Sequence, residues 1–142
     1  MPKTGADILV VDDNPGDCGL ALVAFQRAGP VLRVMTLESG AEALDYLFCT
    51  GTYANRGDRA LPKLVILDIN MPEMSGLEVL KRIRADPRTQ DLAVIILTGS
   101  YDPQEIEQAV RIGATSYFIK PVDLHEYIEM LRVIQKNWLS VD

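Results

Sequence analysis

Residues 64–76 read LVILDINMPEMSG and combine three signals in a short space. The stretch begins with four apolar residues, partly β-branched, as is typical of strands buried on both faces of a parallel sheet. Asp68 follows this run directly, and Ser75 with Glu78 three residues later indicates the start of a helix. We therefore expect a buried strand with an acidic end, followed by a helix that packs back onto the sheet.

The same order of strand and helix recurs along the chain. Further apolar segments are Ile8 to Val11, Val31 to Leu37, Leu92 to Leu97 and Thr115 to Ile119. Helix starts are indicated by the capping pairs Asn14/Asp17, Ser39/Glu42, Ser75/Glu78, Asp102/Glu105 and Asp123/Glu126. Alternating strands and helices imply right-handed crossovers and a parallel sheet covered on both faces. The predicted fold class is therefore α/β, a three-layer doubly wound (βα)5 sandwich. Polar residues in the second and fifth segments favour edge positions for those two strands.

The length of 142 residues suits one domain. We expect residues 1–142 to form a single domain without a separate output module. The irregular stretch from Thr50 to Lys63, with its Gly, Asn and Pro residues, is predicted to be a long surface loop.

Composition excludes several classes of function. A net charge of −6 opposes direct binding to nucleic acid, which relies on Lys and Arg to neutralise phosphates. No apolar run approaches the roughly 20 residues of a membrane span, so no membrane association is predicted and cytoplasmic residence is the expectation. Cys18 and Cys49 lack metal-ligand spacing and are predicted to be reduced thiols.

Polar residues follow four of the five predicted strands, at the sheet edge where parallel α/β folds bind ligands. They are Asp12 and Asp13 after the first strand, Asp68 and Asn70 after the third, Thr98 after the fourth and Lys120 after the fifth. Three gathered carboxylates require a positive partner, and a hard divalent cation such as Mg²⁺ fits them best. Asp68 ends a buried strand rigidly and is the natural nucleophile for phosphoryl transfer, whereas Asp12 and Asp13 are better placed as metal ligands.

Four motifs together resemble bacterial two-component response-regulator receiver domains, over the chain from Ile8 to about Trp138. They are VVDDN at 10–14, LDINMPEMSG at 67–76, LTG at 97–99 and GATSYFIKP at 113–121. The resemblance implies a flavodoxin-like sheet with strand order 2-1-3-4-5. It also implies a phosphorelay function, in which a regulatory domain rather than an enzyme accepts a phosphoryl group.

The resemblance assigns roles to the strand-end residues. Asp68 would be the phosphoacceptor. Asp13 and Asp68 would ligate Mg²⁺, or Mn²⁺ as a substitute, directly; Asp12 would do so mainly through water, and Asn70 through its backbone carbonyl. Thr98 and Lys120 would bind the phosphoryl oxygens.

Two conformational features are also implied by the resemblance. Thr98 and Tyr117 would form a switch pair, in which Thr98 turns toward the phosphoryl group and Tyr117 moves from an exposed to a buried position. The peptide bond between Lys120 and Pro121 would be cis. The readout surface would comprise the fourth helix, the fifth strand and the fifth helix.

The partners implied are proteins. A sensor histidine kinase would donate the phosphoryl group in trans, because His125 is the only histidine and is predicted to lie on the surface. The Thr50 to Lys63 loop and the ending Asn137-Trp138-Leu139 resemble the stand-alone regulators of bacterial phytochromes. The kinase would then be a bacteriophytochrome, and the chain would form a homodimer through the readout surface.

The predicted fifth helix has one apolar stripe that we assign to the core. Its members are Leu124, Tyr127, Ile128, Leu131, Ile134 and Trp138. Met130 and Val133 fall outside this stripe, toward the polar side.

Two other functions remain open at this point. A small Mg²⁺-dependent aspartyl phosphatase would also use a strand-end Asp nucleophile, but Asn70 stands where that class has its second Asp. A pseudo-receiver scaffold that is never phosphorylated would be expected to lack one of the acids or Lys120, and all of them are present.

Overall fold

The computed structural model describes residues 5–29, 32–56, 60–99 and 102–139. The strands are β1 (Ile8–Val11), β2 (Val34–Leu37), β3 (Leu64–Asp68), β4 (Ala93–Thr98) and β5 (Ser116–Ile119). The helices are α1 (Pro15–Ala28), α2 (Gly40–Phe48), α3 (Gly76–Ala85), α4 (Pro103–Ile112) and α5 (Leu124–Ile134). A 3₁₀ turn covers Gly51–Tyr53, and a π-helical segment, Gln135–Leu139, continues from α5. Val31, the predicted start of the second strand, lies outside the described residues.

The five strands form one parallel sheet in the order β2-β1-β3-β4-β5, which confirms the predicted doubly wound fold. β1 and β3 are buried along their whole length, and β4 is buried except at its first residue. β2 and β5 are the partly exposed edge strands, as their polar residues predict. Val11 of β1 pairs with Leu67 of β3, so the residues that follow them emerge side by side at the carboxyl edge of the sheet.

All five predicted helix starts are confirmed by N-cap hydrogen bonds. In four of them, the capping side chain accepts the backbone N–H of the residue three positions later. Asp102 differs, because its carboxylate accepts the N–H of Gln104 rather than that of Glu105. Both geometries satisfy one of the orphan donors at a helix start.

Two apolar clusters cover the two faces of the sheet, one beneath α2, α3 and α4 and the other beneath α1 and α5. Met130 belongs to the second cluster and is only 8 % exposed, so its predicted position outside the apolar stripe is wrong. The buried arc of α5 is wider than one stripe because the helix packs against both the sheet and α1. Val133 is exposed, as predicted.

The predicted Thr50 to Lys63 loop is partly ordered by one arginine. Arg56 donates from Nη2 to the carbonyl oxygen of Tyr46 at 2.9 Å, and its guanidinium lies 4.2 Å from the centre of the Tyr46 ring. Residues 57–59 of this loop lie outside the described residues. Cys18 and Cys49 are free thiols, as predicted.

Across the described ranges, no helix combines the length and the apolar character needed to cross a membrane.

Candidate phosphoryl-transfer site

Asp12, Asp13 and Asp68 meet at the carboxyl edge of the sheet. Each can offer a carboxylate oxygen such that the three oxygens lie within 4.8 Å of one another. Asp12 and Asp68 are almost fully buried. Asp12 is fixed because its backbone N–H donates to Leu37 and its Oδ1 accepts the N–H of Asn14. Oxygen ligands gathered around one point suit a hard divalent cation, so the residues present fit the predicted metal.

Lys120 supplies the positive charge of the site in this structure. Its Nζ donates to Oδ2 of Asp12 at 2.8 Å, Oδ2 of Asp17 at 2.9 Å and Oδ2 of Asp68 at 3.3 Å. Its backbone N–H donates to the carbonyl oxygen of Thr98 at 2.7 Å, which ties the end of β5 to the end of β4. Burial alone would lower the pKa of Lys120, but hydrogen bonds to Asp12 and Asp17 and the charge of Asp68 outweigh it and raise the pKa. The ammonium therefore stays charged throughout the physiological range.

Burial raises the pKa of Asp68 above its usual value. The positive charge of Lys120 opposes this rise, while the neighbouring charge of Asp12 adds to it. The N–H of Asn70, which donates to Oδ1 of Asp68 at 3.3 Å, also lowers the pKa. A carboxylate held in this way is partly stripped of water, which suits a nucleophile.

Gly76, the first residue of α3, lets the helix approach the backbone of Asp68 closely. A Cβ built there would overlap the carbonyl oxygen of Asp68 and lie 2.9 Å from the Cα of Ile69. The N–H of Gly76 donates to the carbonyl oxygen of Ile69 at 2.9 Å. Gly76 therefore helps to shape the turn after Asp68. Sequence reasoning quoted this glycine within a motif but gave it no role.

Thr98 and Tyr117 occupy neighbouring strands. Thr98 is fully buried at the end of β4 and pairs with Ile119, while Tyr117 pairs with Ile96, two residues before Thr98. Paired residues and those two apart share a sheet face, so the two side chains project on the same side. Tyr117 is 37 % exposed. Their action as a switch pair stays a prediction.

The prediction of a cis bond between Lys120 and Pro121 is wrong for this structure. No cis peptide bond occurs in the described ranges, which include both residues. The trans form of a bond before proline is the more stable one by default. With this bond trans, the Lys120 ammonium already reaches Asp12 and Asp68, so the contact does not depend on the rarer isomer.

Asp17 is the site residue whose contact sequence reasoning missed. The sequence predicts it only as the acid of a capping pair, and its backbone N–H does donate to Oδ1 of Asn14 at 3.2 Å. Its carboxylate also reaches Lys120, whose side chain bridges from the end of β5 to the first turn of α1. The available signal was its place in the first turn of the helix that directly follows the acidic strand end Asp12-Asp13.

Comparison with known proteins shows the family in which this arrangement of residues occurs. The family model described as the response regulator receiver domain matches residues 8–132. The chain belongs to this family. Receiver domains of response regulators are regulatory domains of two-component signalling, and phosphorylation and Mg²⁺ dependence are general properties of the family.

Three solved structures of response regulators are closely similar. The regulator RPA3017 in red light signalling of R. palustris is 31 % identical, with a TM-score of 0.86 and coverage of 95 % of this chain and 94 % of that one. The phosphorylated cyanobacterial phytochrome response regulator RcpA is 31 % identical, with a TM-score of 0.83 and 96 % coverage of both chains. The Mn²⁺-bound form of Rcp1, a response regulator of Synechocystis, is 26 % identical, with a TM-score of 0.83 and 97 % coverage of both chains.

These similarities place the chain near the stand-alone regulators associated with phytochromes. Its acidic pocket also agrees with divalent-metal binding, since the Rcp1 structure contains Mn²⁺.

Proposed function

We propose that this chain is a response-regulator receiver domain that accepts a phosphoryl group on Asp68 from a sensor histidine kinase in a Mg²⁺-dependent reaction. The observation that carries the proposal is the contact of the Lys120 ammonium with both Asp68 and Asp12, next to the cluster of three carboxylates. An acidic nucleophile, a lysine cation and a metal-binding set of oxygens are the parts that phosphoryl transfer to a carboxylate needs.

In the proposed reaction, an oxygen of Asp68 forms a bond to phosphorus while the bond from phosphorus to the kinase imidazole breaks. The imidazole leaves with the electron pair of the broken bond. Lys120, already within hydrogen-bond reach of Asp68, donates to a phosphoryl oxygen, and the Thr98 hydroxyl provides a second donor.

Asp12, Asp13, Asp68 and the Asn70 backbone carbonyl are the groups that would hold Mg²⁺. The ion would supply charge that spreads over the transferred oxygens. The clustering of the three carboxylates supports this assignment.

The proposed output is a change of the surface formed by α4, β5 and α5. Tyr117 is exposed on the same sheet face as buried Thr98, which is the starting arrangement that the switch hypothesis requires. A phosphoryl group that draws the Thr98 hydroxyl inward would make room for the Tyr117 ring. The new charge would thus bias an element with two arrangements.

The proposed partners are a bacteriophytochrome-type kinase and a second copy of the chain. The similarity to RPA3017 and RcpA supports the first. The second is supported by exposed apolar side chains on and beside the readout surface, namely Val110, Tyr117, Ile119, Val122 and Val133. Such a pathway would operate in the cytoplasm.

Incubation with acetyl phosphate and Mg²⁺, followed by intact-protein mass spectrometry, tests the proposed function. We expect one phosphoryl adduct per chain, stable in acid and labile in base. Asp68→Asn should abolish it. Asp91→Asn, which changes an exposed acid before β4 at the opposite edge of the sheet, should not.

Three outcomes separate the hypotheses that the sequence left open. A stoichiometric adduct on Asp68 supports the receiver function. No adduct under saturating Mg²⁺ would instead indicate a scaffold. Continuous release of phosphate from a small ester would indicate a phosphatase.

A further inference from the structure

The Lys120 ammonium is fully occupied in this structure. An ammonium group has three N–H donors and no acceptor. Among the described residues, Lys120 Nζ contacts three carboxylates, those of Asp12, Asp17 and Asp68, at 2.8, 2.9 and 3.3 Å. A phosphoryl oxygen on Asp68 can therefore receive a hydrogen bond from Lys120 only when one of these contacts is given up.

The three carboxylates are not equivalent partners. Asp12 and Asp68 belong to the cluster that can hold a metal ion, and their side chains are 4 % and 5 % exposed. The side chain of Asp17 is 33 % exposed and lies outside that cluster, on the first turn of α1. Asp17 is therefore the carboxylate that water can solvate when Lys120 leaves it.

We propose that Asp17 is a competing partner that holds Lys120 in the unphosphorylated arrangement, and that Lys120 leaves Asp17 when Asp68 carries a phosphoryl group. The inference rests on the proposed function of Asp68 and adds a residue to it. Asp17 is a positioning residue, because it acts on the phosphoryl group only through Lys120.

Electrostatics favours Asp17 as the partner that is released. Once Asp68 is phosphorylated, its negative charge lies on the phosphoryl group, so the contact to be given up is that of Asp12 or Asp17. Asp12 is almost fully buried, and a buried carboxylate without a cation is the costlier of the two. Asp17 lies at the N-terminal end of α1, where the helix dipole stabilises a negative charge, and it also reaches water. The distances agree with competition, since Lys120 lies closer to Asp17 than to Asp68.

Beryllofluoride, a phosphoryl analogue, can be titrated calorimetrically into the full chain at saturating Mg²⁺. We expect Asp17→Asn to tighten its binding by about threefold to fivefold, the range set by a partly exposed ion pair. The matched control is Glu38→Gln, which removes the same charge from an exposed acid after β2, at the same edge of the sheet. Unchanged or weaker binding to Asp17→Asn would overturn the inference, as would an equal effect of the control.

Two further variants test whether the effect passes through the carboxylate and through Lys120. Asp17→Glu keeps a carboxylate within reach and should bind beryllofluoride within about twofold of the unmodified chain. Mn²⁺ affinity, measured alone by electron paramagnetic resonance, should fall more in Asp17→Asn than in Glu38→Gln, because Lys120 then turns fully onto Asp12 and Asp68. This extra loss should vanish in a Lys120→Gln background. If it persists there, Asp17 acts on the metal by its own charge, and the inference fails.

The experiment distinguishes failure of this inference from failure of the proposed function. If the unmodified chain binds beryllofluoride and forms an adduct on Asp68, but Asp17→Asn matches it in affinity, only the role of Asp17 is lost. If the unmodified chain does neither, the proposed function of Asp68 fails first.

Discussion

Two cations of this fold, Lys120 and Arg84, are both partly buried but have opposite kinds of partner. Lys120 contacts three carboxylates at the carboxyl edge of the sheet. Arg84, on α3, donates from Nε to the carbonyl oxygen of Gly113 at 2.9 Å. Its Nη1 donates to the carbonyl oxygens of Leu92 at 2.7 Å and Gln90 at 3.1 Å.

The difference separates a functional cation from a structural one. Backbone carbonyls cannot leave without deforming the chain, so Arg84 fastens the turn before β4 to the end of α4 in one arrangement. Carboxylate side chains can rotate, become solvated or accept a metal ion, so the contacts of Lys120 can be exchanged. A buried cation whose partners are carboxylates that can exchange it for a metal ion or water is therefore the better indication of a switch.

The largest effect is expected from Arg84→Leu. Loss of the guanidinium leaves several backbone carbonyls without their hydrogen-bond donor, and we expect the free energy of unfolding to fall by about 2–4 kcal/mol. Urea unfolding measures this change. The control Arg82→Leu breaks only an exposed pair with Glu78 and should cost less than about 0.5 kcal/mol. Equal losses of stability in Arg84→Leu and Arg82→Leu would show that the carbonyl contacts of Arg84 do not stabilise the fold.

Lys120→Met should produce a smaller loss that depends on metal. Without metal, Asp12 and Asp68 lose their cation. Because Lys120 and Asp17 are partly exposed, we expect a cost between those of exposed and buried pairs, roughly 1–2 kcal/mol at neutral pH. Saturating Mg²⁺ should narrow this gap, because a divalent cation replaces the lost charge and stabilises the folded state on binding. Thermal melts in chelator and in Mg²⁺ measure both values. A gap that Mg²⁺ leaves unchanged would show that the contacts of Lys120 are not exchangeable.

Asp68→Asn is expected to raise the melting temperature at neutral pH in the absence of metal. Burial raises the folded-state pKa of Asp68, so folding favours its protonated form. Its contribution to stability is present below the pKa of the unfolded chain and is lost as the pH rises through the folded pKa. The increase in melting temperature caused by Asp68→Asn should thus shrink below about pH 4. Thermal melts across this pH range, with exposed Asp91→Asn as the control, show whether Asp68→Asn raises or lowers the melting temperature.

The smallest effect concerns backbone strain beside the site. Glu73 has φ of 65°, a left-handed conformation that is unfavourable for a residue with a side chain. Asn tolerates this region better, so Glu73→Asn should gain roughly 0.5 kcal/mol in urea unfolding. Glu73→Gln retains the strain and should change little. A gain in both would mean that charge, not backbone conformation, is responsible.

The layers, the strand order and the five helix starts could be predicted because each depends on local patterns or on a family motif. The cluster of Asp12, Asp13 and Asp68 could be predicted for the same reason, since parallel strands end at one edge. The N–H group that Asp102 accepts could not be predicted, because a short carboxylate can reach either of two nearby N–H groups at a helix start.

The remaining features depend on tertiary contacts that sequence spacing does not encode. The contact between Asp17 and Lys120 joins residues more than 100 positions apart, because the Lys120 side chain spans the carboxyl edge of the sheet from β5 to the start of α1. Met130 is buried because α1 covers a second side of α5, which a helical wheel drawn for one helix cannot show. The resemblance implies a cis bond before Pro121, whereas the bond is trans in the structure.

The contact between Trp138 and Phe118 provides an intrinsic fluorescent probe of β5. The chain has one tryptophan, and its ring meets the ring of Phe118 edge to face, with centroids 6.4 Å apart. Phe118 stands in β5 between Tyr117 and Ile119, so a shift of that strand alters the surroundings of the indole. Its emission spectrum can therefore follow β5 in the native sequence, with no attached dye.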